Sequence, residues 1–205
     1  MSRKSYSDYE YKDDYNLYTY PGTEVLRNLL DLKISGELSR VEYEQTTDKL
    51  FSLYLNPIFV YAMNDVCKIH KYLFEDLYQW AGEYRKVNIS KEEKAYMAMQ
   101  SFEMGTMHLD ELIEEYNETA VTEEDIILGL SIILDRLNYM HPFREGNGRT
   151  QREVIRVLAL AKGYEANINI QDNKTYHLYM DGTVYEDLNA LKELFKHTLK
   201  RKTID

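Results

Sequence analysis

One cysteine in 205 residues, Cys67, excludes an intrachain disulfide and makes a reducing cytoplasm the simplest compartment. Only three prolines occur, Pro21, Pro57 and Pro142, so each is a boundary signal. No apolar run is long enough to cross a bilayer, which argues against a membrane protein. The opening MSRKSYSDYEYKDDYN has no apolar stretch after its basic residues and is not expected to be a secretory signal. Basic residues are outnumbered, 25 Lys plus Arg against 35 Asp plus Glu, for a net charge of −10. That field argues against nonspecific nucleic-acid or anionic-membrane binding, although it leaves room for a local basic site. Internal repeats and Pro/Gly/Ser-rich linkers are also missing, and a single domain over 1–205 is the expectation.

What is present is a globular share of apolar residues, 44%, and nineteen tyrosines. Six of these (Tyr6, Tyr9, Tyr11, Tyr15, Tyr18, Tyr20) fall in the first twenty residues with no helical stripe, which reads as an arm over 1–20. Thr23 is a plausible N-cap for a helix from Glu24 to Leu30, and Gly36 separates it from a second over Ser39–Leu55. A third starts at Pro57, with Phe59, Ala62, Met63, Val66, Ile69, Leu73 and Leu77 at helical spacing. At Ala81-Gly82 the period changes to alternation, and a hairpin is predicted at about 83–99. Helices resume over Phe102–Tyr116 and again on the face Ile126, Leu130, Ile133, Leu137. Pro142 breaks that helix after His141. Another runs from Arg149 to Lys162 with Gly163 as its C-cap, and a last amphipathic pattern covers Leu188–Leu199. The predicted class is all-α, a helical bundle with one short β-hairpin.

Between the two central helices lies His141-Pro142-Phe143-Arg144-Glu145-Gly146-Asn147-Gly148-Arg149-Thr150-Gln151-Arg152. Gly146, Asn147 and Gly148 at a helix start let the backbone turn and offer free amides at the positive end of the helix dipole, an anion site. Arg149 and Arg152 share a helix face and suit further anionic oxygens. Glu145, the only acid of the loop, suits a hard cation such as Mg²⁺ that accompanies phosphates. His141 at the helix break suits a general base. Each piece alone has a structural explanation; twelve residues that hold them all point to polyphosphate chemistry.

This segment resembles the Fic family signature, His-x-Phe-x-(Asp/Glu)-Gly-Asn-Gly-Arg-x-x-Arg, with every fixed position matched. Ile69–Phe74 through Tyr78–Arg85 looks like the helix that leads into the family's flap, and Tyr18–Leu30 like the start of bacterial members. The resemblance implies a Fic-type helical bundle with a core over 55–165, a flap hairpin over 83–99 and a C-terminal helical extension over 166–205. It implies a protein adenylyltransferase that moves AMP from ATP to a Tyr, Thr or Ser hydroxyl of a target protein. By the family's roles His141 is the base, Glu145 holds Mg²⁺, Gly146, Asn147 and Gly148 cradle phosphates, and Arg149 and Arg152 take the outer phosphates. Flap residues Arg85, Lys86, Val87, Asn88 and Ile89 would clamp the target backbone by strand addition. Gly148 favours AMP transfer over the phosphorylation of Doc-type relatives, which carry Lys there. The family's inhibitory pattern, Ser/Thr-x-x-x-Glu-Gly/Asn, is not matched, so a small antitoxin that supplies a Glu to Arg152 is the implied partner. A silent binding module would be expected to have lost His141 or Glu145; transfer of another nucleotide group, such as UMP, fits the same motif. His70, His108, His177 and His197 lack ligand spacing, and Cys67 reads as inert packing.

Overall fold

The computed structural model describes residues 9–11, 17–91 and 94–202. The all-α class holds. Seven helices occur among the described residues: α1 (Ser35–Leu55), α2 (Met63–Phe74), α3 (Phe102–Thr119), α4 (Glu123–Met140), α5 (Asn147–Ala161), α6 (Asn173–Val184) and α7 (Leu188–Thr198). Helix α4 is the central member and packs on α3, α5 and α7. Its apolar face, Ile126, Leu130, Ile133, Leu134, Leu137 and Met140, is buried, as the periodicity required. Its start is fixed by a capping box in which Thr122 Oγ1 accepts from the Asp125 amide and Asp125 Oδ2 from the Thr122 amide. One contiguous core joins α2, α4, α5 and α7, so the C-terminal helices are integral to it: Leu191, Leu194 and Phe195 are fully buried.

The expected hairpin is present as β2 (Ile89–Lys91) and β3 (Lys94–Ala95). Three further strands are not legible in the sequence. β1 (Tyr9–Tyr11) pairs antiparallel with the other edge of β2, in the register Tyr9–Lys91, Glu10–Ser90, Tyr11–Ile89. β4 (Tyr164–Ala166) pairs with β5 (Leu199–Arg201) behind α5. The rest of the expected arm, residues 1–8 and 12–16, lies outside the described residues.

Three element expectations are corrected. Glu24–Leu30 is not helical, because Thr23 Oγ1 donates to the Tyr20 carbonyl and accepts from the Val25 amide, closing a local turn instead of capping a helix. The following amides of Arg27 and Leu29 bond the carbonyls of Tyr18 and Leu77. α1 begins at Ser35 and runs through Gly36, and α2 begins at Met63 rather than Pro57. α6 escaped notice because its Tyr, Thr and Gly residues are weak helix formers. It is held by its Asp172 cap on the Thr175 amide and by packing on α7.

Candidate active site

Helix α4 ends at His141, in front of Pro142. The proline rule predicts extended backbone there, but His141 is left-handed, with φ 45° and ψ 59°. A non-glycine residue holds that conformation only when its surroundings impose it. Here the His141 amide bonds the Leu137 carbonyl at 3.0 Å, and the guanidinium of Arg85 takes the His141 carbonyl at 2.9 Å. The Arg85 amide takes the Pro142 carbonyl at 2.8 Å. The imidazole is buried, and Tyr96 of the flap stacks on it at 4.0 Å. Its Nδ1–H donates to the Asn138 carbonyl at 3.2 Å, which places the basic lone pair on Nε2.

The loop that follows is braced by Asn147. Its Oδ1 accepts from the Phe143 amide at 2.9 Å, and its Nδ2 donates to the Phe143 carbonyl at 2.7 Å. The Asn147 side chain therefore shapes the loop instead of projecting toward a ligand. Gly146 takes φ +79° at the N-cap of α5. A Cβ there would lie 2.3 Å from the Phe74 ring, so only glycine fits. Ile89, His141, Arg144, Glu145, Gly146, Asn147 and Gly148 line a small cleft at this helix start. Its empty volume is about 240 Å³.

Two buried side chains, His70 and Arg85, hold the loop from below, a bracing role that sequence reasoning missed. His70 of α2 stacks on Phe143 at 3.7 Å, its Nε2–H donates to the Glu145 carbonyl at 3.0 Å, and its Nδ1 accepts from the Gly82 amide at 2.8 Å. Burial lowers its pKa to about 3, so it is a neutral spacer. The only signal for it was its place on the core face of α2. Arg85 is 2% exposed and lies in the flap base. Its Nη1 and Nη2 donate to the carbonyls of Val87 and Met97, each at 2.5 Å, beside the bond to His141. Its guanidinium also stands over the Phe102 ring at 4.7 Å. Burial lowers its pKa to about 10, still high enough to keep it charged at neutral pH.

The other expected site residues separate. Val87 and Ile89 are buried like Arg85, and only Lys86 and Asn88 of the flap set are exposed. Arg85, expected as a target contact, turns its side chain to the carbonyls of His141, Val87, Met97 and Met140 and to the Phe102 ring inside the fold. Arg149 turns toward α1, where its Nη2 pairs with Glu42 at 2.5 Å and only grazes Glu145 at 3.4 Å. Glu42 also accepts from the Tyr78 hydroxyl. Arg152 lies beside the cleft, over the Tyr179 ring at 5.8 Å, with Nη1 3.3 Å from where a Cβ on Gly148 would stand. Among the described residues no carboxylate pairs with it. Glu145 is one-third exposed at the cleft, and its Oε1 accepts from the Gly146 amide at 2.8 Å. No group of three His, Cys, Asp or Glu able to hold a metal is found among the described residues. A lone carboxylate of this kind fits Mg²⁺ that keeps its waters and arrives with phosphates, not a resident metal.

The Fic/DOC family profile matches residues 60–159, which contain α2, the flap, α3, α4 and most of α5. A probable protein adenylyltransferase, y4lH, of Sinorhizobium fredii is 33% identical over 148 residues, 71% of this chain and 76% of the relative. The probable protein adenylyltransferase Fic of Salmonella typhimurium is 29% identical over 183 residues, 89% of this chain and 91% of the relative. The crystal structure of BepC from Bartonella tribocorum with bound AMPPNP superposes with a TM-score of 0.77 at 18% identity, over 91% of this chain and 97% of that one. At that identity the likeness speaks to the fold.

Proposed function

This chain belongs to the Fic/DOC family, and we propose that, as a protein adenylyltransferase, it moves AMP from ATP onto a Tyr, Thr or Ser hydroxyl of a target protein and releases pyrophosphate. The observation that carries the reading is the meeting of His141 Nε2, Glu145 and the first amides of α5 around one cleft. His141 accepts the proton of the attacking hydroxyl as that oxygen approaches the α-phosphorus. The α5 amides and the helix dipole face the phosphates, with Gly146 and Gly148 leaving their approach open. Arg152 neutralises the departing pyrophosphate. Asn147 acts through the loop it braces, and Arg149 through its anchorage to α1. Mg²⁺, when bound with ATP, would supply charge neutralisation between the phosphates, and Glu145 is the residue to hold it. The flap is the docking edge for target backbone, with Lys86 and Asn88 on its outer face. We take the chain as one Fic domain whose extension after 166 seals the core. The lone cysteine supports a cytoplasmic setting, and burial raises the Cys67 thiol to about 11, away from reactivity. Among the described residues no helix is long and apolar enough to cross a membrane. The lack of a carboxylate at Arg152 among these residues supports a small antitoxin that supplies one.

ATP labelled at the α- or the γ-phosphate, beside UTP, tests this reading. Protein-bound label from the α position alone is expected. Label from γ or from UTP would redirect the chemistry, and no label from any donor would leave a binding module. His141→Ala should lose on the order of 10²–10⁴ in rate while ATP still binds.

A further inference from the structure

We propose that the outward face of α1 is the contact surface of a homodimer, in which two copies of the helix meet antiparallel across a twofold axis at residue 49. The inference stands apart from the transferase reading and concerns how the chain assembles.

Helix α1 is apolar on two sides. Leu38 and Leu53 are buried, and Val41 and Leu50 are half-buried against the core. Tyr43, Phe51, Tyr54 and Leu55 lie on the opposite side and are 59–67% exposed. A helix that is apolar all round is ordinarily covered all round, and here the chain itself covers one side. At about 200 Å² for a large side chain, the four residues offer roughly 500 Å² per copy and about 1,000 Å² to a pair, the size at which a specific interface begins. The surface is ordered in advance. The guanidinium of Arg156, held by Glu153 and the Leu53 carbonyl, stands over the Tyr54 ring at 5.5 Å. Thr47, exposed on the same face, donates its hydroxyl to the Tyr43 carbonyl at 2.7 Å, so covering it strands no donor.

The spacing selects a second copy as the occupant. Tyr43, Thr47, Phe51 and Leu55 recur at intervals of four, the ridge by which packed helices most often interlock. The pattern reads the same from both ends about residue 49. A twofold axis there sets Phe51 of each copy on the smaller Thr47 of the other, and Tyr43 on Leu55, which is the self-complementarity a twofold contact requires. Glu44 and Asp48 border the face, and each chain carries a net charge of −10. The two copies therefore repel at long range, and salt should tighten the pair.

Sedimentation velocity of the full chain from about 1 to about 100 μM, at low and high salt, tests the proposal. A two-chain species that grows with concentration and with salt is expected. Phe51→Glu and Thr47→Lys should each weaken it about tenfold or more. Both positions are exposed, so the urea midpoints of the monomers should match the parent. Mixed in equal amounts, the two variants should recover the dimer, because one parental contact and one pair of introduced opposite charges then face each other across the axis. A chain that stays monomeric at every concentration overturns the proposal and leaves the face to a partner of different sequence. A dimer indifferent to both substitutions overturns it equally, since its contact lies elsewhere. Variants that separate but do not recombine overturn the antiparallel register.

Discussion

At the scale of single residues, the site depends on two buried side chains that lie outside the motif. Arg85 satisfies the carbonyls of Val87, Met97 and His141 with one guanidinium. Arg85→Met would keep most of the volume and strand those acceptors, each unmet carbonyl costing about 1–3 kcal/mol. A loss of at least about 3 kcal/mol in urea unfolding is expected, and Arg85→Lys should recover only part of it, since an ammonium lacks the planar fork. His70 carries the pH dependence. Its pKa is about 3 in the fold against an ordinary 6.5, so below pH 6.5 the unfolded chain takes up a proton that the folded chain refuses. Stability contributed by the neutral ring is complete above pH 6.5 and falls as the pH drops toward 3. The slope approaches about 1.4 kcal/mol per pH unit from this one group. Melting temperatures measured from pH 7 to pH 4 should decline, and less steeply in His70→Gln.

Among elements, the link from α1 to α5 is the one to probe. Glu42 and Arg149 pair across it with both side chains largely buried, and Tyr78 adds a second donor to the carboxylate. Glu42→Gln should cost about 1–3 kcal/mol by leaving the guanidinium unmatched. A double-mutant cycle with Arg149→Met should return a coupling of at least about 0.5 kcal/mol. This pair also shows where sequence reading stops. The phosphate loop is contiguous, and the helices announce themselves by period, so Gly146, Glu145, His141 and the faces of α4 and α5 were legible. Glu42 meets Arg149 across 107 positions, His70 meets Glu145 across 75, and Arg85 meets His141 across 56. No local pattern encodes such meetings; they follow only once α1 and α2 have packed against α5. The same holds for β1, three residues whose partner lies about eighty positions away. It explains Thr23 too, where a hydroxyl suited equally to a cap and to a turn was decided by the Tyr18 and Leu77 carbonyls that accept from the Arg27 and Leu29 amides.

Over the whole molecule, the helices after residue 166 share the core of the catalytic helices, and α6 carries Tyr179 under Arg152. The chain should therefore unfold as one unit. Trp80 fluorescence, which reports the packing of Tyr18, His70 and Tyr78 around the indole, should give the same urea midpoint as far-ultraviolet circular dichroism. Two separated midpoints would mark α6 and α7 as an independent piece. The Arg85 junction has a wider consequence. One cation grips the carbonyls of Val87, Met97 and His141, so on the proposed reading, with the flap as docking edge and His141 as base, docking and chemistry are coupled through Arg85. On that reading, whatever loads the hairpin well should also steady the imidazole, and by reciprocity a well-seated imidazole should tighten the hairpin. Good and poor acceptors should then differ more in kcat than in KM, with selectivity expressed as turnover rather than grip.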